Sequence, residues 1–282
     1  MNKELEQAIK TAGDLPTIPI VATKVMQLIE MDNISVDEIA KVVATDPAVA
    51  ARVLKIANSA FYGCQRQIQT IPGAIVVLGF NTLRSLVVAA SVKEVYKPYG
   101  LTEKMLWEHS FAAGVAARII AHDGRKANYE ESFLAGLLHD IGKIIMNNLD
   151  RDKFQLVMQR CYNEDLPFEN VEQSVYPFTH AEVGAYVVRK WNFPEGLTHA
   201  ILYHHALDDD PGDDHYLKTL SAVVSLADLF CHKLGIGTRS PREELDLMAA
   251  ESTRFLELEE EQVSTMLETF NEAFSNDRSF LD

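Results

Sequence analysis

Residues 133–148, FLAGLLHDIGKIIMNN, are apolar enough to demand burial, yet they carry an imidazole and a carboxylate side by side, His139 and Asp140, with an ammonium at Lys143. A charge taken into a dry interior costs several kcal/mol or more unless something of opposite sign meets it. Whatever fold this segment enters must therefore bring compensating groups to its centre. Asp228 poses the same demand more sharply: in LSAVVSLADLF its neighbours Val223, Val224, Leu226, Ala227, Leu229 and Phe230 leave it no polar face to share.

The elements that could supply those groups read as helices. Ser35 with Glu38 and Thr179 with Glu182 have capping-box spacing, and Asp46-Pro47 fits an N-cap followed by proline in the first turn. Strand alternation is scarce, so the spacing predicts an all-α protein. Helices are expected near 102–122, 129–147, 150–163, 179–191, 195–206, 216–234 and 259–274. In the first half, DPAVAARVLKIANSAF and GFNTLRSLVVAASV read as core helices, the second capped by Asn81. A Pro/Gly break in KPYGLTEKMLW, with Thr102 as the next N-cap, divides the chain. The expected organisation is a helical bundle over 1–98, a second helical domain over 99–240 and an acidic helical extension over 241–282, its helix docked on the body. The loop ALDDDPGDDHY, with Asp208, Asp209, Asp210, Asp213 and Asp214, lacks the glycine and terminal glutamate of an EF-hand and reads as solvated. Asn58 and Ser59 read as helix-end and turn chemistry.

More ionisable residues sit in the apolar helices of the second half: His109 in MLWEHSFAAGV, His180 at a helix start, and the pair His204-His205 in HAILYHHAL. Carboxylates and neutral imidazoles buried together are what a divalent metal needs, and the ion's charge offsets their burial. For His139, Asp140 and Asp228 the competing reading is a buried ion pair that stabilises the bundle. His109 or His180 alone would be an ordinary core histidine, and His204-His205 could straddle a buried and an exposed face. His122, His199, His215 and His232 are read as surface or core groups with no ligand role.

Composition narrows the partners. The formal net charge of −15 over 282 residues works against phosphate-mediated nucleic-acid binding. No apolar run approaches the roughly 20 residues of a membrane span, so no membrane association is expected. The start has no signal-peptide core and the three cysteines are scattered, which fits a reducing cytoplasm.

The order His109, then His139-Asp140 in LLHDIGK, then Asp228 in SLADLF resembles the H…HD…D signature of the HD superfamily of metal-dependent phosphohydrolases. His180 and His204-His205 resemble the extra ligands of two-metal members such as the HD-GYP phosphodiesterases, and Lys143 matches the lysine of HDxGK. The segments LPTIPIVATKVMQLI, DPAVAARVLKIANSAFYG and IPGAIVVLGFNTLRSLV resemble the opening of the HDOD domain, an output module of bacterial signalling proteins. The chain lacks the GYP tripeptide after its histidine pair. Met105 stands where some HD-GYP members place a carboxylate for a third metal.

The resemblance implies a signalling output module with a partner protein and a dinuclear metal site in its HD-like half. Its alternative is a phosphohydrolase acting on a nucleotide or cyclic dinucleotide through a metal-bridging hydroxide. By that analogy Asp140 bridges two ions, His109, His139 and Asp228 complete one, and His180, His204 and His205 complete the other. Asp140 and Lys143 are then the catalytic candidates, with Lys143 holding a phosphate oxygen. Nitrogen-rich ligation favours Fe, taken first, or Mn, Ni, Co or Zn over Mg and Ca.

Overall fold

The computed structural model describes residues 5–7, 17–29, 34–64, 66–97, 100–210 and 212–276. Among them there are helices and no strands. The N-terminal half comprises α1 (Ile20–Ile29), α2 (Val36–Ala44), α3 (Pro47–Ala57), α4 (Ile71–Leu78) and α5 (Phe80–Val92). Ser35 and Glu38 close the expected capping box on α2, and the Asp46 carboxylate accepts from the Ala48 and Val49 amides to start α3. Apolar from Leu83 to Val92 apart from Arg84 and two serines, α5 is the axis against which α1 and α3 pack. Its cap is Gly79 and not Asn81. Gly79, at φ +86°, ends α4 and begins α5 at once, and a turn that tight leaves Asn81 inside the helix.

Asn58 is the helix-end residue that its context predicts. Its Nδ2 donates to the carbonyls of Leu54 and Ile68, both at 2.7 Å, and its Oδ1 accepts from the Ile68 amide at 2.7 Å. The side chain thus ties the end of α3 to the approach to α4. Asn58→Ala is expected to lose about 2–3 kcal/mol of stability in urea denaturation while leaving the metal content of the purified protein unchanged.

The second half runs through α6 (Leu101–Gly124), α7 (Tyr129–Leu138), α8 (Ile141–Leu149), α9 (Arg151–Glu164), α10 (Phe168–Val175), α11 (His180–Lys190), α12 (Glu195–Tyr203) and α13 (His215–Leu234), then α14 (Glu251–Phe255) and α15 (Glu260–Asn276). The long α6 is central, flanked by α7, α13 and α15, while α11 packs on α8 and α12, and α5 meets α7. Val263, Met266, Phe270 and Phe274 bury the apolar stripe of α15, so the acidic terminal segment is docked. Among the described residues no helix is long and apolar enough to cross a membrane.

Several boundaries differ from the periodicity. Gly100, not Thr102, begins α6, because Glu103 reaches back to the Gly100 amide at 2.9 Å. The single helix expected over 129–147 is broken at His139-Asp140, where Asp140 adopts φ −101°, ψ 11°. Tyr203 ends α12, so His204 and His205 lie just beyond it. Neither α10 nor the short α14 was anticipated. The acidic loop is not uniformly solvated: Asp214 caps α13, and Asp210 is buried against His199, 3.1 Å away.

Candidate metal centre

The break between α7 and α8 decides where the chemistry points. Leaving the helix at His139 frees its Nδ1 to donate to the Gly136 carbonyl at 2.7 Å, which swings Nε2 inward beside Asp140. The same device recurs at the end of α12, where His204 Nδ1 donates to the Ile201 carbonyl at 2.7 Å. His109 Nδ1 faces the Ile236 carbonyl at 3.2 Å, His180 Nδ1 the Glu172 carboxylate at 2.8 Å, and His205 Nδ1 that of Glu169 at 2.9 Å. Carbonyls and carboxylates only accept, so Nδ1 of His139, His180, His204 and His205 carries a proton, and in the neutral form of each ring the lone pair is on Nε2; His109 has an acceptor at both nitrogens, with the Asp228 carboxylate 2.9 Å from its Nε2.

Those lone pairs converge on Asp140. Its Oδ2 lies 3.5 Å from His109 Nε2 and 3.5 Å from His139 Nε2, while its Oδ1 lies 3.3 Å from His180 Nε2 and 4.0 Å from His204 Nε2. Asp228 Oδ1 stands 2.9 Å from His109 Nε2 and 3.7 Å from His139 Nε2. The structure thereby assembles two adjoining groups, Asp140 with His180, His204 and His205, and His109 with His139 and Asp228; within each, the donor atoms lie within 4.8 Å of one another. Neither aspartate pairs with an arginine among the described residues.

Acceptor facing acceptor in a dry pocket is unstable without a cation. His139 Nε2, His180 Nε2, His204 Nε2 and Asp140 Oδ1 are buried with no hydrogen-bond partner among the described residues. Ligands about 2.1 Å from a shared ion lie roughly 3.0 Å apart at right angles and roughly 3.4 Å apart at tetrahedral angles. The N···O separations of 2.9, 3.3 and 3.5 Å match that spacing, and the donor set fits a transition metal.

Charge in the site is arranged accordingly. Burial pushes the Asp140 carboxyl up, but His139 and the Lys143 ammonium outweigh it and hold the group well below the usual carboxylate range. Lys143 Nζ donates to Asp140 Oδ2 at 2.7 Å and lies 4.3 Å from the centre of the Phe168 ring. Burial and the neighbouring histidines drive His204 well below its ordinary value, so it is neutral. Glu169 is held down to about 2, against its burial, chiefly by its hydrogen bond to His205.

Supporting residues escaped the sequence reading. Glu172, fully buried, accepts from both the backbone and the ring of His180 and fixes that ring's tautomer. His232, read as a surface or core group, stands 3.4 Å from Asp228 Oδ1 in the wall of the cleft, and burial lowers it to about 4. Its i+4 spacing from Asp228 was the available signal. Gly237 packs on α6: at φ +64°, a Cβ there would overlap the His109 amide nitrogen and stand 2.6 Å from its Cα. Gly142 is the contact between α8 and α11, where a Cβ would overlap the His180 carbonyl oxygen and stand 2.7 Å from its carbon.

A helical domain that turns a His-Asp pair inward at a helix break, with distant histidines and a second aspartate closing on it, is of the HD type. The match goes further: the HDOD domain family fits residues 15–207, and the chain belongs to that family. An HDOD domain protein of unknown function from Geobacter sulfurreducens is 25% identical, with a TM-score of 0.77 over 96% of this chain and 98% of its own. A candidate phosphohydrolase from Shewanella amazonensis SB2B shares the fold with a TM-score of 0.77 at 21% identity, over 99% of this chain and 97% of its own. An uncharacterized protein of Treponema pallidum (strain Nichols) is 24% identical over 270 residues, 94% of this chain but 51% of that protein, so the chain spans about half the length of this relative.

Proposed function

We propose that the cluster is a dinuclear transition-metal centre that hydrolyses phosphoesters, carried by an HDOD signalling module. The observation that supports it is the set of four buried donor atoms without hydrogen-bond partners, aimed at one another across Asp140. His109, His139 and Asp228 would hold one ion, His180, His204 and His205 the other, and Asp140 both, with iron the first choice. Two such ions supply an activated water and offset charge on the phosphoryl oxygens. Lys143 lies beside Asp140 at the floor of a cleft, which supports a role in donating to a phosphate oxygen. Glu172 and Glu169 keep the imidazoles of His180 and His205 oriented toward the centre.

Metal analysis of untagged protein, followed by assay on bis-p-nitrophenyl phosphate and on cyclic dinucleotides, tests this reading. Two ions per chain with turnover support it, and no metal in repeated anaerobic preparations defeats it. Glu172→Gln, which weakens the acceptor for the His180 ring, is expected to lower metal affinity about 10–100-fold in chelator competition.

A second reading has its own observation. Ile20, Val76 and Val77 are 71%, 79% and 60% exposed on α1 and α4. Apolar side chains left in water on the N-terminal half, which carries none of the candidate ligands, favour a role as output module, with residues 1–98 meeting a partner protein. Bound metal without turnover selects that role, with the centre as sensor or support in residues 99–240 and residues 241–282 as an extension. Three free cysteines suit a reducing cytoplasm.

A further inference from the structure

The cleft above Asp140 and Lys143 is a cavity of about 280 Å³ whose outer wall is the loop following α13, with Thr238, Arg239, Ser240 and Arg242 lining it. Two guanidinium groups at one opening stand out in a chain of net charge −15. Both are exposed, and their partners across the mouth are replaceable. Arg242 meets Asp165, itself 88% exposed, at 3.0 Å, and Arg239 donates to Asn163 Oδ1 at 3.4 Å. Exposed pairs of this kind contribute little and exchange readily for a stronger anion.

The loop that carries these arginines is anchored to the candidate ligands. Ile236 offers its carbonyl to His109, Gly237 lies against the His109 backbone, and the Arg242 amide donates to the His232 carbonyl at 3.0 Å. The loop backbone therefore stands in a set relation to the floor, with the two exposed guanidiniums carried on it. On the facing wall Tyr162 and Phe168 meet edge to face with centroids 6.2 Å apart, giving a flat-sided apolar surface between floor and mouth. The volume lies just below the range of about 300–1,000 Å³ of drug-sized ligand pockets, which favours one nucleotide-sized molecule over a cyclic dinucleotide.

We propose that the mouth is a second phosphate subsite, so that the cleft takes a mononucleotide-sized ester bearing two phosphates, one directed to Lys143 and Asp140 and the other held by Arg239 and Arg242. Arginine pairs suit this because each guanidinium can donate two parallel hydrogen bonds to phosphate. The proposal deepens the phosphoesterase reading and rests on it for the role of the inner phosphate.

The test is calorimetric titration of the full-length protein as purified with adenosine 3′,5′-bisphosphate, with AMP and with cyclic di-GMP. The wild type is expected to bind the bisphosphate at least about tenfold more tightly than AMP. In the double variant Arg239→Gln/Arg242→Gln that ratio should fall below about threefold, with metal content and circular dichroism unchanged. Equal affinities in the wild type, no binding of either nucleotide, tighter binding of cyclic di-GMP, or a ratio untouched by the double substitution would overturn it. Should the variant lose its fold, Arg239→Gln alone, which removes only the 3.4 Å contact to Asn163, carries the comparison. Absence of metal or of bis-p-nitrophenyl phosphate turnover in the wild type would instead count against the phosphoesterase reading, and the binding ratio would still decide this one.

Discussion

Asp140→Asn protein is expected to emerge from purification without bound metal and to hydrolyse bis-p-nitrophenyl phosphate at least about 10³-fold more slowly than the wild type, the loss of several kcal/mol of metal-derived catalysis. The size of the effect follows from the geometry. Oδ2 faces His109 and His139 while Oδ1 faces His180 and His204, so one carboxylate serves both groups of donors. An amide keeps the shape but loses the charge, and it places an NH2 among lone pairs. Lys143 is only 4% exposed and would lose its anionic partner, which adds about 3–5 kcal/mol of destabilisation. Combining Asp140→Asn with Lys143→Met should recover much of that stability without restoring metal. Two ions retained per chain in the single variant would refute the bridging role.

Gly142→Ala is the second large effect, and it acts through the backbone. The methyl group would occupy the place of the His180 carbonyl oxygen and press on the Gly184 amide at 2.9 Å, so α8 and α11 must separate. Overpacking against backbone costs about 3 kcal/mol or more, which for a chain of this size is a fall of roughly 6–12 °C in Tm. The separation also pulls His180 away from Asp140, and their 3.3 Å approach holds the first of the two groups together. Metal content should drop with the melting temperature. A Gly142→Ala variant that melts with the wild type would show that the helices tolerate a gap there.

The helical class and the convergence of His139, Asp140 and Asp228 could be read from the chain because burying unmatched charge is costly and periodicity is local. The helix break at His139-Asp140 could not, since the apolar run passes straight through it and only the bond from His139 to the Gly136 carbonyl marks the turn. Glu172 was invisible for a different reason. In FENVEQSV it looks like the polar face of a short amphipathic helix, and its burial arises only when α10 docks at the start of α11. His232 was legible in principle, one helical turn beyond Asp228, but the meaning of that spacing depends on α13 turning the same face toward α6. Gly237 and the Ile236 carbonyl belong to a loop, where no periodicity predicts which ligand the backbone will meet.

His109 and Asp228 are 119 residues apart yet stand 2.9 Å from each other. During synthesis, the first of them leaves the ribosome long before the second is made. The group of His109, His139 and Asp228 can close only after α13 has been released and has folded back, whereas Asp140, His180, His204 and His205 all precede α13 in the chain. On the proposed reading the two ions would be acquired in chain order, the group around His180 closing before the group around Asp228.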